Sequence, residues 1–338
     1  MSKAVFSYIA ATFVVESLSV GNAVHVRKRR QEAEPASEFD DVVITESGPS
    51  SFEINEKIEV SQMALMFLGR GGVIFSYLAL DIYLFGDLAI YSTTVSKSMM
   101  NMICATVNTS TVLSADPCRE IYRLCVILFV MVCTPMVIIG ITKTKYLQLA
   151  TTLSRWSAFT LMILLASTQM MANGAATIPP AANIHGFGSL FGVAVYAFMC
   201  HHSIPSLVTP MRASEQESLL EDEEEHDTRT RRANRPLEVS DVVIPVLVVG
   251  LPTIISLLTD DVLMLATVTG SYPGVGVQFL IPCLLVMRAR TYAKGVLNFP
   301  VPKKFASPFQ SKYWPYAIFL WAAVAIAMAT VNTLGVRF

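Results

Sequence analysis

The segment Phe198-Met199-Cys200-His201-His202-Ser203-Ile204-Pro205 concentrates residues that could do chemistry. Imidazoles bind and release protons near neutral pH, and two of them stand directly before a break. Pro205 cannot donate a backbone hydrogen bond and disfavours helix at Ile204. Within a membrane such a break is tolerated only where protein or a water-filled cavity satisfies its backbone. Broken helices of this kind hold solute in many secondary transporters. The competing reading is a proline-kinked helix with interfacial histidines. A metal site from Cys200 and both histidines is not expected, because adjacent residues on a helix point about 100° apart. A second interrupted stretch, Thr267–Gly276, includes Thr269, Gly270, Pro273 and two further glycines. These are costly within a helix unless the backbone binds something or the small residues let helices pack closely.

Ionisable residues at membrane depth are the next candidates, since they face a cavity or a partner. They are Glu16, Asp81, Asp87, Arg123 and Arg155. Arg123 and Arg155 fall near helix ends, where snorkelling is expected. Asp87 falls late in its helix, towards the lumenal interface. Asp81 is expected deeper, screened within the bundle by Tyr77, Tyr83 and Phe85. No Ser/His pair, metal-binding helix or paired catalytic carboxylate is evident, so neither an enzyme nor a cofactor is expected. The six cysteines lack CxxC spacing; Cys125, Cys133, Cys200 and Cys283 lie in apolar runs as small core residues do.

These residues must be positioned by membrane helices. Of 338 residues, 53% are hydrophobic and 15% charged, against roughly 25% charged in soluble domains. A net charge of −1 offers no basic surface for a nucleic acid. About 20 apolar residues cross a bilayer, and eight windows qualify: 4–23, 61–94, 120–141, 147–171, 187–209, 239–259, 262–287 and 314–336. The second is too long for one straight crossing, with bends expected at Gly71, Gly72 or Gly86. Pro245, Gly250 and Pro252 interrupt 239–259. The expectation is an all-α, polytopic membrane protein: a helix at 1–25, a cytoplasmic disordered loop at 26–60, a four-to-five-helix bundle at 61–210 with a lumenal loop at 95–118, a charged cytoplasmic linker at 211–238, and three helices at 239–338.

Orientation follows from the Lys/Arg bias of the loops. Loops 24–60, 142–146, 211–238 and 288–313 are basic, whereas 95–118 has Lys97 alone and 172–186 and 260–261 have no Lys or Arg. The basic loops therefore face the cytoplasm and both termini face the lumen or exterior. Met1–Ala23 also has features of a signal peptide, but its cleavage would invert every later loop. The sequon Asn108-Thr109-Ser110 falls in a lumenal loop, and Cys104 and Cys118 flank it where a disulfide is allowed. Glu215–Leu220 resembles an acidic dileucine sorting signal; a solvated linker is the plainer reading.

The run Gly192–Pro210 resembles the sixth helix of amino acid/auxin permeases, which ends in a Cys-His element and a proline. Ala11–Arg30 is similar to the second helix in a little-characterised branch of that family, and Phe52–Tyr91 to the third. Lys143–Gln148 and Thr269–Tyr272 with Gly276–Gln278 also fit. The resemblance implies a LeuT-like inverted repeat of about eleven helices, with substrate between the broken first and sixth. Here the chain aligns from the second helix and passes from Pro210 to a counterpart of the ninth, a partial version of that fold. Sodium coupling, thought to need the first and eighth helices, is not carried over. Such a core would expose polar backbone from Cys200 to Pro205, a surface that a homo-oligomer would cover.

The expected function is secondary transport of a small solute, an amino acid by resemblance, with proton coupling through His201 and His202. The pathway would run between 61–94 and 187–209, past Phe198, Cys200, His201, His202, Ser203, Pro205, Asp81, Thr269 and Gly270. The alternative is a sensor or scaffold that binds solute without moving it. Either would sit in the plasma or endolysosomal membrane.

Overall fold

A computed structural model describes residues 2–33, 49–55, 58–106, 117–139, 144–174, 187–209 and 239–334. All regular structure among them is helical. Asn108, linker 211–238 and the dileucine element lie outside the described residues. The helices are α1 (Ser2–Ala33), α2 (Val60–Thr106), α3 (Pro117–Ile139), α4 (Thr144–Asn173), α5 (Phe187–Ala197), α6 (Ile204–Val208), α7 (Val239–Leu258), α8 (Val262–Thr269), α9 (Ile281–Gly295) and α10 (Tyr313–Thr333). Two π-helical turns, Gly270–Gly274 and Gly276–Leu280, join α8 to α9.

Among the described residues, six helical stretches are long and apolar enough to cross a membrane: Ala4–Arg29, Val60–Ala105, Leu149–Ala172, Leu190–Val208, Val262–Gly295 and Tyr313–Val331. The other two expected windows coincide with α3, whose first turns carry Arg119, Glu120 and Arg123, and with α7, which offers the shorter stretch Val246–Leu258. A 47-residue α2 would measure about 70 Å, over twice the hydrocarbon thickness of about 30 Å. It bends at Gly69 (φ 69°), while Gly71, Gly72 and Gly86 stay helical. Its other end continues to Thr106, so the first part of the expected lumenal loop is helix. Cys104 there is joined to Cys118 in α3.

The core forms around α1, which is buried on nearly every side from Ile9 to Ala23. Apolar Ile9, Phe13, Val14 and Leu18 and polar Glu16, Ser17 and Asn22 are enclosed together, and the small residues Ala10, Ser17, Ser19 and Gly21 let neighbours approach. It packs most extensively on α9. The two are locked by Glu16, whose carboxylate accepts from Arg290 Nε at 2.7 Å and Nη2 at 2.8 Å. The Ser307 amide donates to Glu16 at 3.0 Å, and the guanidinium also donates to the carbonyls of Phe309 and Gln310. The intramembrane carboxylate of α1 therefore pins loop 296–312. Trp321 of α10 contacts Phe6, Phe191 and Phe279, tying α1, α5 and the second π turn together.

Polar contacts join segments expected on the same side. Lys97 Nζ donates to the Asp260 carbonyl at 2.9 Å, both lumenal by the charge bias. Arg27 donates to the Val296 carbonyl, joining segments both expected on the cytoplasmic side. Arg27 itself lies in α1, which runs on to Ala33 where a disordered loop was expected from residue 26. One helix stands apart: every described side chain of α4 from Leu149 to Ala172 is exposed.

Candidate functional site

The chain breaks after α5. The Phe198 amide still donates to the Ala194 carbonyl at 3.1 Å, and that of Met199 to Tyr196 at 3.3 Å. A single 3-10 turn, His201–Ser203, follows, closed by Ser203 N–H to the Cys200 carbonyl at 3.0 Å. Pro205 sits in the first turn of α6, where its missing donor is harmless. The proline therefore starts a new helix rather than kinking an old one. The break is also less exposed than expected: it packs on α1 and the second π turn, and His201 and Pro205 are buried.

Three elements converge on His201, which is 1% exposed. Its Nε2 lies 3.0 Å from the Ser7 carbonyl of α1. Gln278, on the second π turn and also 1% exposed, donates from Nε2 to Ser7 Oγ at 2.8 Å and to the Phe198 carbonyl at 3.2 Å. The freed backbone of the break is thus read by a side chain from the second interrupted helix. π turns commonly mark functional positions. His201 Nδ1, Gln278 Oε1, Thr267 Oγ1 and Ser271 Oγ are buried without a hydrogen-bond partner among the described residues. Leaving one such group unmatched costs about 1–3 kcal/mol. His201 and Gln278 meet at this junction through Ser7, whereas Thr267 and Ser271 lie beside Gly192 at the α5–α8 crossing.

His202 faces the other way, towards α2. Its ring lies 6.4 Å from that of Tyr83. Tyr196 of α5 donates to Asp87 Oδ1 at 2.5 Å. Asp87 is half-buried and precedes Lys97 by ten residues, about 15 Å along a helix. Asp81 lies six residues earlier, on the exposed face of α2. The bundle thus encloses the later carboxylate and leaves the earlier one outside, because 83, 87 and 90 share the inward stripe.

Other predicted positions divide in the same way. Ser203 is half-buried beside the histidines; Cys200 and the Phe198 side chain are exposed. Thr269 is buried against Gly86, and Gly270 meets the Gly192 carbonyl so closely that an added Cβ would lie 2.0 Å from it. Gly270 therefore serves the α5–α8 crossing. Ser7, Asp87, Tyr196 and Gln278 complete the site. Gln278 was visible as the one amide in an apolar run, whereas nothing local marks Ser7.

An all-helical fold with six apolar stretches long enough to cross a membrane among the described residues defines a polytopic α-helical membrane protein. The chain belongs to the transmembrane protein 104 family. It is 46% identical to the transmembrane protein 104 homolog of Caenorhabditis elegans over 446 aligned residues, spanning 99% of this chain and 89% of that one. It is 28% identical to human transmembrane protein 104 over 435, spanning 97% and 88%. No family model and no solved structure matches. Because 446 aligned positions exceed 338 residues by 108, at least that many positions within the nematode alignment have no counterpart here.

Proposed function

We propose that this chain is a secondary carrier for a small zwitterionic solute, an amino acid, bound where the break after α5 meets α1 and the second π turn. The observation that carries this reading is the pair of unmatched buried atoms His201 Nδ1 and Gln278 Oε1, brought together through Ser7. The Gln278 amide oxygen and His201 Nδ1, an acceptor once Nε2–H is given to the Ser7 carbonyl, together suit an ammonium group. Tyr196 is hydrogen-bonded to Asp87, and His202 and Tyr196 both face the Tyr83 ring; these groups beside the site favour proton coupling. The resemblance to amino acid/auxin permeases, with a partial LeuT-like inverted repeat, points the same way. Residence in the plasma or endolysosomal membrane and glycosylation at Asn108 belong to the same proposal.

A non-transporting sensor is the second reading, favoured by the shortfall of at least 108 positions against the nematode relative. Radiolabelled amino acid uptake into vesicles holding the purified chain separates the two. A carrier accumulates label in sealed vesicles and loses it when they are permeabilised. A sensor retains saturable binding with no sealed-vesicle component. Neither uptake nor binding of any amino acid would overturn both.

A further inference from the structure

We propose that two copies of this chain associate in the membrane by exchanging α4, each α4 packing along the outer face of α2 in the other copy, with Arg155 of one paired to Asp81 of the other. The outer face of α2 is a continuous stripe of Ile74, Tyr77, Leu78, Asp81, Ile82 and Leu88, all exposed. Asp81 has no hydrogen-bond or ion-pair partner among the described residues. It precedes Lys97 by sixteen residues, about 24 Å along a helix, which leaves it within a hydrocarbon core of about 30 Å. A carboxylate facing acyl chains there is costly and calls for a partner. Its short side chain cannot reach the headgroups as a lysine or arginine can.

The complementary surface is α4, whose described side chains are all exposed from Leu149 to Ala172. Arg155 precedes Ala172 by seventeen residues, about 26 Å, and also lacks a partner among the described residues. By the charge bias both helices run from cytoplasm to lumen, so the two opposite charges stand at nearly the same depth. Beside Arg155, Ala150, Ser154 and Ala158 make a line of small residues at every fourth position. Such lines let helices approach closely, and the bulky stripe of α2 has the shape to fill this one. The other faces of α2 are occupied by α3, α7, α8 and α9. The nematode relative has at least 108 further aligned positions from which to cover such a surface; this chain has its own second copy. The exchange is two-fold symmetric, so it closes as a dimer.

Association is read by energy transfer between two fluorescent fusions of the full chain in the same vesicles. Wild type pairs. Asp81→Arg alone and Arg155→Asp alone each lose pairing by about tenfold, the size of two intramembrane polar contacts, since both pairs of the dimer are lost. Mixing the two variants restores it, because both contacts of the mixed dimer are again opposite in charge. That rescue also shows that each variant folds. Should either variant fail to reach the membrane, Asp81→Cys copies are mixed with Arg155→Cys copies, and an oxidised mixed dimer is expected. Wild type that does not pair, variants that pair as well as wild type, a mixture without rescue, or no mixed cysteine dimer would each overturn the proposal.

Discussion

At the scale of single residues, the site depends on which side chains enter the bundle. Gln278 bonds Ser7 and the Phe198 carbonyl while leaving its own oxygen unmatched. Gln278→Leu removes that oxygen and should weaken solute binding about tenfold, the equivalent of one buried hydrogen bond. Asp81→Asn, on the outer face, should leave binding by the single chain within about twofold of wild type, a difference of a few tenths of a kcal/mol. Uptake driven by an inward proton gradient should lose its dependence on external pH in Asp87→Asn, since the amide no longer takes up a proton. Comparing uptake at two external pH values for both chains checks this. The histidine break was legible from Pro205 and its neighbours. The choice between Asp81 and Asp87 was not, because one stripe of a helix cannot be told from another before the neighbouring helices are placed.

At the scale of elements, helix contacts are decided by residues without bulk. The α5–α8 crossing puts backbone on backbone, and a Cβ added at Gly192 would meet the Thr267 carbonyl oxygen at 2.5 Å. Gly192→Ala and Gly270→Ala should therefore each destabilise by about 1–3 kcal/mol or more through overpacking. Gly250→Ala is the control: nothing lies within 4 Å of its added Cβ, and alanine favours helix by about 1 kcal/mol. Thermal unfolding in detergent should separate the two classes. Glu16→Ala strands Arg290 among partly buried partners and should cost about 3–5 kcal/mol in the same assay. The glycine-rich stretch was legible as special, and close packing now accounts for Gly270. The π turns were not, because the hydrophobic pattern of a helix does not record one inserted residue.

At the scale of the whole molecule, the alternation of basic loops and the contacts agree. Lys97 meets Asp260 at one end, and Arg27 meets Val296 at the other. Single cysteines introduced at Asp260 and Lys303 should accordingly react with a membrane-impermeant maleimide from opposite sides, and reaction of both from one side would refute that orientation. The windows of apolar residues located the helices because length and hydropathy suffice for that. How far α2 runs past the length of one crossing, and that the described side chains of α4 from Leu149 to Ala172 are exposed, depend on tertiary packing that hydropathy does not encode.

The central claim is that the meeting point of the α5 break, α1 and the second π turn is a solute site. Its most direct test is equilibrium binding of radiolabelled amino acids, in pools and then singly, to purified wild type and His201→Phe. The expected result is saturable binding of at least one amino acid by wild type, weakened about tenfold or more by loss of the imidazole contact, with the variant's unfolding temperature close to wild type. Binding that is undiminished in His201→Phe, or absent from folded wild type, would contradict the account.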